Sequence, residues 1–251
     1  MTAPLKILSS MATRQVLADL AAGYEARASR KVALESVGGV DAAKRVRAGE
    51  SFDAVVLASD AIDKLELDGH VVVGSRIDLV RSETAIAVRA GASHPDIASE
   101  EAVKRAVRSA KSLSYSTGPS GVHLARLFER WGIAAEVAPK IVQAPPGVPV
   151  GSLVADGKAE LGFQQLAELI HLSGIDVVGP LPPGAQRVTI FSAGVVAGAK
   201  QPDAARRLIA YLSSAAAGPA IRKSGMEPVQ KANSIGGLTP TVRRHALRYA
   251  H

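Results

Sequence analysis

The feature that most constrains this chain is a regular alternation of short apolar runs with longer stretches of helical period. Residues 5–8 (LKIL) read as a buried strand. Val16, Leu17, Leu20, Ala21 and Tyr24 then recur on one helical face, which predicts a helix over Arg14–Ala28. A second short strand is expected at 32–34 and a helix at 40–48, ending near Gly49. A buried strand (AVVLA) follows at Ala54–Ala58, then a helical turn at Ser59–Leu67. Strand–helix–strand order calls for a parallel sheet, because each crossover helix brings the chain back to start a strand in the same direction. Aromatic residues are only 4% of a composition that is 47% apolar, so the cores must be built from Ala, Val, Leu and Ile. That mix suits strands buried on both faces.

The rhythm changes at 77–90, a stretch too long for one strand, with Ile77, Leu79 and Val80 followed by Thr84-Ala85-Ile86-Ala87-Val88. It is expected to cross from one lobe to another. Further units follow: a helix at 99–109, a strand at Leu113–Tyr115 and a helix at 122–131 closed by Gly132. A strand is expected at 137–142, a helix at Val150–Ala155, a short strand at 161–164, a helix at 167–172 and an extended run at 175–178. A second long extended stretch, 188–197, is a candidate return crossing, and helices are expected at 202–213 and 216–223. The expected plan is an α/β protein of two lobes, each a mostly parallel sheet flanked by helices, joined by two crossing strands. The first lobe takes 1–82 and 193–229, the second 83–192, and 230–251 forms a basic tail. The space between two hinged lobes is the natural ligand site.

Composition narrows the partners. The formal net charge of +7 favours anions by steering. The basic residues are interleaved with acids, as in the run from Lys44 to Glu50, and no finger, basic zipper or aromatic RNA-binding signature occurs. No nucleic-acid partner is expected. The absence of cysteine excludes disulfides, thiolate metal sites and cysteine nucleophiles. No charged segment followed by an apolar one opens the chain, and no apolar run approaches the roughly 20 residues that span a bilayer. The expectation is a cytoplasmic protein without a membrane span, or a periplasmic one if an export signal was removed.

Three loops join a strand end to a helix start, where free N–H groups and the positive end of the helix dipole favour anions. In the first, Ser9 and Ser10 offer hydroxyls and Arg14 a guanidinium suited to a carboxylate. The plainer alternative is an ordinary serine cap with a solvated arginine. In the second, Gly38 and Gly39 let backbone amides approach a ligand closely. The third runs from Tyr115 through Ser120 and Gly121 to His123, with hydroxyls, glycines and a histidine at the mouth of a helix. A helix N-terminus disfavours protonated imidazole, which suits His123 to the role of a neutral base. The loop around Val148 could close the cleft, and Gln164 and Gln165 could donate amide hydrogen bonds into it. The other histidines have no partner at metal-ligand spacing, and no metal is expected.

These loops resemble the molybdate-binding periplasmic receptors of ABC transporters, within the type II periplasmic-binding-protein fold. The resemblance covers about residues 5–229. It is carried by the strand–Ser9-Ser10–helix opening and by the segments AGESFDAVVLASD (48–60), GPSGVHLARLFERWGI (118–133), VADGKAELGFQQ (154–165) and AGAKQPDAARRLIAYLSSAAAGPAIRKSGMEP (197–228). Such receptors hold a tetrahedral oxyanion with neutral hydroxyls and amides. This chain departs from that pattern where Gly38-Gly39 replaces a serine, where Gln165 stands in place of a tyrosine, and in the charge of Arg14. A guanidinium matches a flat carboxylate, so the departures point from molybdate toward a di- or tricarboxylate.

The family has an enzymatic relative, aconitate isomerase, which moves a double bond in a tricarboxylate. The resemblance therefore implies either an isomerase of an unsaturated carboxylate or a non-catalytic receptor working with an ABC permease. On the first reading Ser9, Ser10 and Arg14 clamp one carboxylate. Amides around Gly38, Gly39, Ser120 and Gly121 hold another, and Val148 and Gln165 complete the site. His123 is then the base, with Tyr115 as the weaker candidate. No organic cofactor is implied.

Overall fold

The computed structural model describes residues 3–229, so the basic tail expected at 230–251 lies outside the described residues. The first half follows the expected order. It comprises β1 (Leu5–Ser10), α1 (Arg14–Ala28), β2 (Val32–Val37), α2 (Gly39–Arg47), β3 (Ala54–Ala58) and α3 (Ser59–Leu67). Then β4 (Ile77–Ser82) and β5 (Thr84–Arg89) lie end to end, followed by α4 (Glu100–Ser109), β6 (Leu113–Tyr115) and α5 (Pro119–Arg130). The chain continues through α6 (Ala134–Val137), α7 (Val150–Ala155), β7 (Leu161–Gln165), α8 (Leu166–Leu169) and β8 (Ile175–Pro180). It closes with β9 (Thr189–Val195), α9 (Pro202–Leu212), α10 (Gly218–Lys223) and β10 (Glu227–Pro228).

Ten strands form a six-stranded sheet, in the order β10-β4-β9-β3-β1-β2, and a four-stranded sheet, β6-β7-β5-β8. The alternation of side chains along a strand explains how the first sheet is covered on both sides. Leu5, Ile7, Ala54 and Val56 face the core made with Val16, Leu17 and Leu20 of α1 and Leu208 and Ile209 of α9. Leu8, Val55 and Leu57 face the other way, onto Ala42 and Val46 of α2 and Ile62 and Leu65 of α3. The second sheet packs Ile86, Val88, Leu113 and Phe163 against Val103 and Val107 of α4 and Leu124 and Phe128 of α5. Ser99 caps α4 by accepting a hydrogen bond from the Ala102 amide at 3.2 Å, and Glu100 and Glu101 occupy the first turn, complementing the helix dipole.

The architecture is the expected two-lobed α/β arrangement, with sheets of mixed direction. β1 pairs in parallel with β2 and β3, whereas β9 runs antiparallel to both β3 and β4. In the second sheet β6 and β7 are parallel, and β5 is antiparallel to β7 and β8. β5 and β9 each follow a connection between the sheets with no crossover helix before them, and the edge strand β10 runs antiparallel to β4.

The first connection falls within the expected stretch 77–90: β4 belongs to the first sheet, β5 to the second, and Glu83 lies between them. The second differs from expectation. The stretch 188–197 does not cross, because β9 sits wholly in the first sheet, and the chain passes between sheets earlier, through 181–188. Gln186 fixes this segment: its Oε1 accepts from the Thr84 amide (3.0 Å), and its Nε2 donates to the carbonyls of Thr84 (2.9 Å) and Leu181 (3.2 Å).

The strand expected at 137–142 is a correction. Val137 ends α6, a 3-10 turn takes Ala138–Lys140, and only an isolated bridge pairs Ile141 with Leu113. Pro139 has no amide to give a ladder, and Val137 is fully buried as a helical residue instead.

Candidate functional site

The carboxyl ends of β1, β2, β6 and β7 supply the expected loops. β1 delivers Ser9 and Ser10, both buried, to a 3-10 turn at Met11–Thr13 that leads into α1. The hydroxyls of Ser9 and Ser36 share a hydrogen bond of 2.8 Å across paired strands, so the first two loops are tied together. Gly38 precedes α2 and Gly39 opens it; a Cβ on Gly39 would stand 3.8 Å from the Ser10 Cβ. Ser9, Ser10, Gly38 and Gly39 are thus brought to one place. The Ser10 hydroxyl is buried with no hydrogen-bond partner in the protein, a state that calls for a physical explanation. Arg14 is exposed in the first turn of α1 and has no ion pair among the described residues.

In the third loop, α5 begins with Pro119, ahead of the expected start, and Ser120 and Gly121 lie buried in its first turn. Gly121 is there because nothing larger fits: a Cβ would fall 1.6 Å from the Ser116 carbonyl oxygen. Tyr115 is buried with its ring edge-on to Phe128, centroids 6.2 Å apart, and burial pushes its phenol up. His123 is half-buried, and its Nε2 lies 2.7 Å from the Ala185 carbonyl oxygen. Burial lowers its pKa most; the Ala185 contact opposes, and Arg187, Arg130 and Arg126 add repulsion. The imidazole is therefore neutral near pH 7, with Nε2–H donating to Ala185 and Nδ1 left to accept. This contact ties α5 to the connection between the sheets.

Val148 is 37% exposed in the loop before α7. Behind it, the Val150 amide donates to Gln164 Oε1 at 2.9 Å. Gln165, at the end of β7, is 1% exposed; its Nε2 donates to Thr189 Oγ1 of the first sheet at 3.0 Å, and its Oε1 has no partner. Thr84 is its register partner and Ser82 that of Thr189, and the hydroxyls of Ser82 and Thr84 are buried without partners. Ser82, Thr84 and Thr189 were missed by sequence reasoning, because only the pairing of two separate sheets brings them to Gln165.

Glu168 was missed as well. It is the one acid of α8 (LAEL), half-buried, and its carboxylate accepts a hydrogen bond from Gln164 Nε2. Burial pushes its pKa up to about 7 although the Gln164 bond works in the other direction. A lone acid in the apolar stretch Leu166-Ala167-Glu168-Leu169, three residues past Gln165, was the available signal. Among the described residues no group of three or more His, Cys, Asp or Glu side chains is arranged to hold a metal ion, and no helix is long and apolar enough to cross a membrane. The loops thus offer neutral donors from both sheets and an exposed guanidinium at Arg14, and Glu168 is a carboxyl with a pKa of about 7.

Comparison with known proteins follows the same lines. The chain is 40% identical over 231 residues to a protein named aconitate isomerase from Pseudomonas sp, covering 90% of this chain and 88% of that one. It is 26% identical over 192 residues to the molybdate-binding protein ModA of Azotobacter vinelandii, covering 72% and 73% of the two chains. The solved Azotobacter vinelandii periplasmic molybdate-binding protein superposes with a TM-score of 0.75 at 19% identity, over 90% of this chain and all of that one. The family model for bacterial extracellular solute-binding proteins matches residues 5–227, from the first strand to the last, and the chain belongs to that family.

Proposed function

We propose that the protein binds a small di- or tricarboxylate between its lobes and isomerises it by moving a proton, and with it a C=C bond, from one carbon to another. The observation that carries this reading is the 40% identity, over nine-tenths of the chain, to a protein named aconitate isomerase. The chemistry of the first loop supports it. An exposed guanidinium beside buried hydroxyls suits a planar carboxylate, which two parallel N–H bonds can hold. Ser9, Ser10 and Arg14 take one carboxylate; the amides of Gly38, Gly39, Ser120 and Gly121 take another; Val148 and Gln165 close the site. Of the bases expected from the sequence, His123 is neutral with a free Nδ1, whereas burial makes the Tyr115 phenol harder to ionise.

The test is a thermal-shift screen of C4–C6 carboxylates against molybdate and tungstate, followed by NMR of any stabilising carboxylate. cis- or trans-Aconitate is expected to raise the melting temperature and to interconvert. Arg14→Ala is expected to weaken that binding by roughly 10- to 100-fold, the loss typical of a charge-assisted hydrogen bond. A second reading, a non-catalytic receptor for oxyanions that serves an ABC permease, rests on the 26% identity to a protein named molybdate-binding. Stabilisation by molybdate or tungstate and by no carboxylate would establish that reading and remove the first.

A further inference from the structure

We infer that Glu168 is the group that carries the proton in this site. The inference rests on the isomerase reading. Its first support is position. α8 begins at the hinge, where the Leu166 amide donates to the Glu83 carbonyl at 2.9 Å, directly after Gln165 has reached across to Thr189. Ala167 packs in one core with Ala12, in the turn that follows Ser9 and Ser10. On its other side, Gln164 links the Glu168 carboxylate to the Val150 amide at the head of α7, behind the Val148 loop. Glu168 is therefore carried by the short helix that packs on the turn after the anion loop of the first lobe, and its carboxylate is linked through Gln164 to the head of α7 behind the closing loop of the second.

The second support is the lack of any counter-charge. Glu100, by contrast, pairs with Arg130 and accepts from Trp131 Nε1, and the buried Asp53 is held by two backbone amides, of Lys6 and Gln201, where Glu168 has one side-chain amide. No ion pair to Glu168 is formed among the described residues by the elements packed around α8, including the Gly225 turn that lies against Leu166 and Ile170 and follows Arg222 and Lys223 of α10. The turn Met11–Thr13, α7 and β7 carry no charged residue. β5 and β8 bring Arg89 and Asp176 at the end remote from the Thr84–Gln165 pair, and neither bonds to Glu168; Asp176 accepts from the Gly91 amide and lies 3.5 Å from His94 Nε2. No hydrogen bond or ion pair joins Glu168 to Arg14 or His171 among the described residues. An acid in an apolar setting, held by one neutral amide, gains nothing for the fold by being ionised. It is the arrangement in which a carboxyl takes and returns a proton near neutral pH, which agrees with its raised pKa. His123, by contrast, has one ring nitrogen committed to the connecting segment.

The step balances without a co-reactant. Carboxylate Glu168 removes a proton from the CH2 next to the C=C–carboxylate unit. The C–H pair becomes the new C=C bond, and the old π pair moves onto the far carbon and its conjugated carboxylate as a dienolate. Glu168, now a carboxylic acid, gives the proton to that far carbon, whose electron pair forms the new C–H bond. One C–H bond is broken and one formed, the double bond has moved, and the carboxylate is restored.

The test compares wild type with Glu168→Gln in three measurements: the ligand-induced thermal shift, the isomerisation rate by NMR, and the pH–rate profile. We expect the variant to keep the thermal shift, to lose at least about 100-fold in kcat, as removal of a general acid–base does, and to lose the rise in rate with pH around 7. If wild type isomerises and Glu168→Gln stays within a few-fold with the same profile, the inference fails and the isomerase reading stands. Loss of the ligand-induced shift would make Glu168 a binding group and would also overturn the inference. If wild type binds but does not isomerise, both fail together.

Discussion

A carboxyl group in apolar surroundings binds its proton more tightly in the folded chain than in the unfolded one, and stability must then depend on pH. For Glu168 the folded value, about 7, exceeds the ordinary 4.5. Below about 4.5 the group is protonated in both states and costs nothing. Between 4.5 and 7 the unfolded chain ionises first, so stability is lost as pH rises. Glu168→Gln is expected to melt near wild type at pH 4.5 and clearly above it at pH 8; equal differences at the two values would show that the carboxyl is not held protonated. The first two loops also show what a sequence displays at this scale. Ser9, Ser10, Gly38 and Gly39 were legible because strand–loop–helix junctions converge wherever parallel strands pair. Glu168 was not, since its helix is seated by packing of Ala167 in one core with Ala12, more than 150 positions earlier in the chain.

At the scale of elements, the docking of α5 turns on a single missing atom. Its first turn lies against the Ser116 carbonyl, and a methyl at Gly121 would have to occupy the oxygen's place. Gly121→Ala is expected to destabilise the protein by about 3 kcal/mol or more, the upper range for overpacking against unyielding backbone. Thermal or urea unfolding would measure it; a loss under about 1 kcal/mol would mean that the helix can shift at little cost. Elements with one dominant period were legible, such as the fully buried AVVLA of β3 and the apolar face of α1. The segment 137–142 was not. Its Val, Ile and Val fit an extended reading as well as a helical one, and the outcome was decided by Pro139 and by the pocket that receives Val137.

For the molecule as a whole, two connections and one side chain govern how the lobes sit. Gln186 makes three hydrogen bonds to the backbone of the two connections, at Thr84 and Leu181. Gln186→Ala is expected to speed hydrogen exchange at the Thr84 amide by roughly tenfold, as loss of one hydrogen bond of about 1.4 kcal/mol would. Unchanged exchange there would show that the connections hold their course without it. The position of β9, between β3 and β4, has a different consequence. The four strands of the second sheet lie within 84–180, whereas the first sheet lacks its central strand until residue 195 has been made. During synthesis the lobe encoded mid-chain thus finishes first, while the N-terminal half waits on the ribosome with the β3 edge unpaired and open to aggregation or cleavage. A nascent fragment ending shortly after β8 would carry one protease-resistant half and one sensitive half, in the reverse of their order of birth.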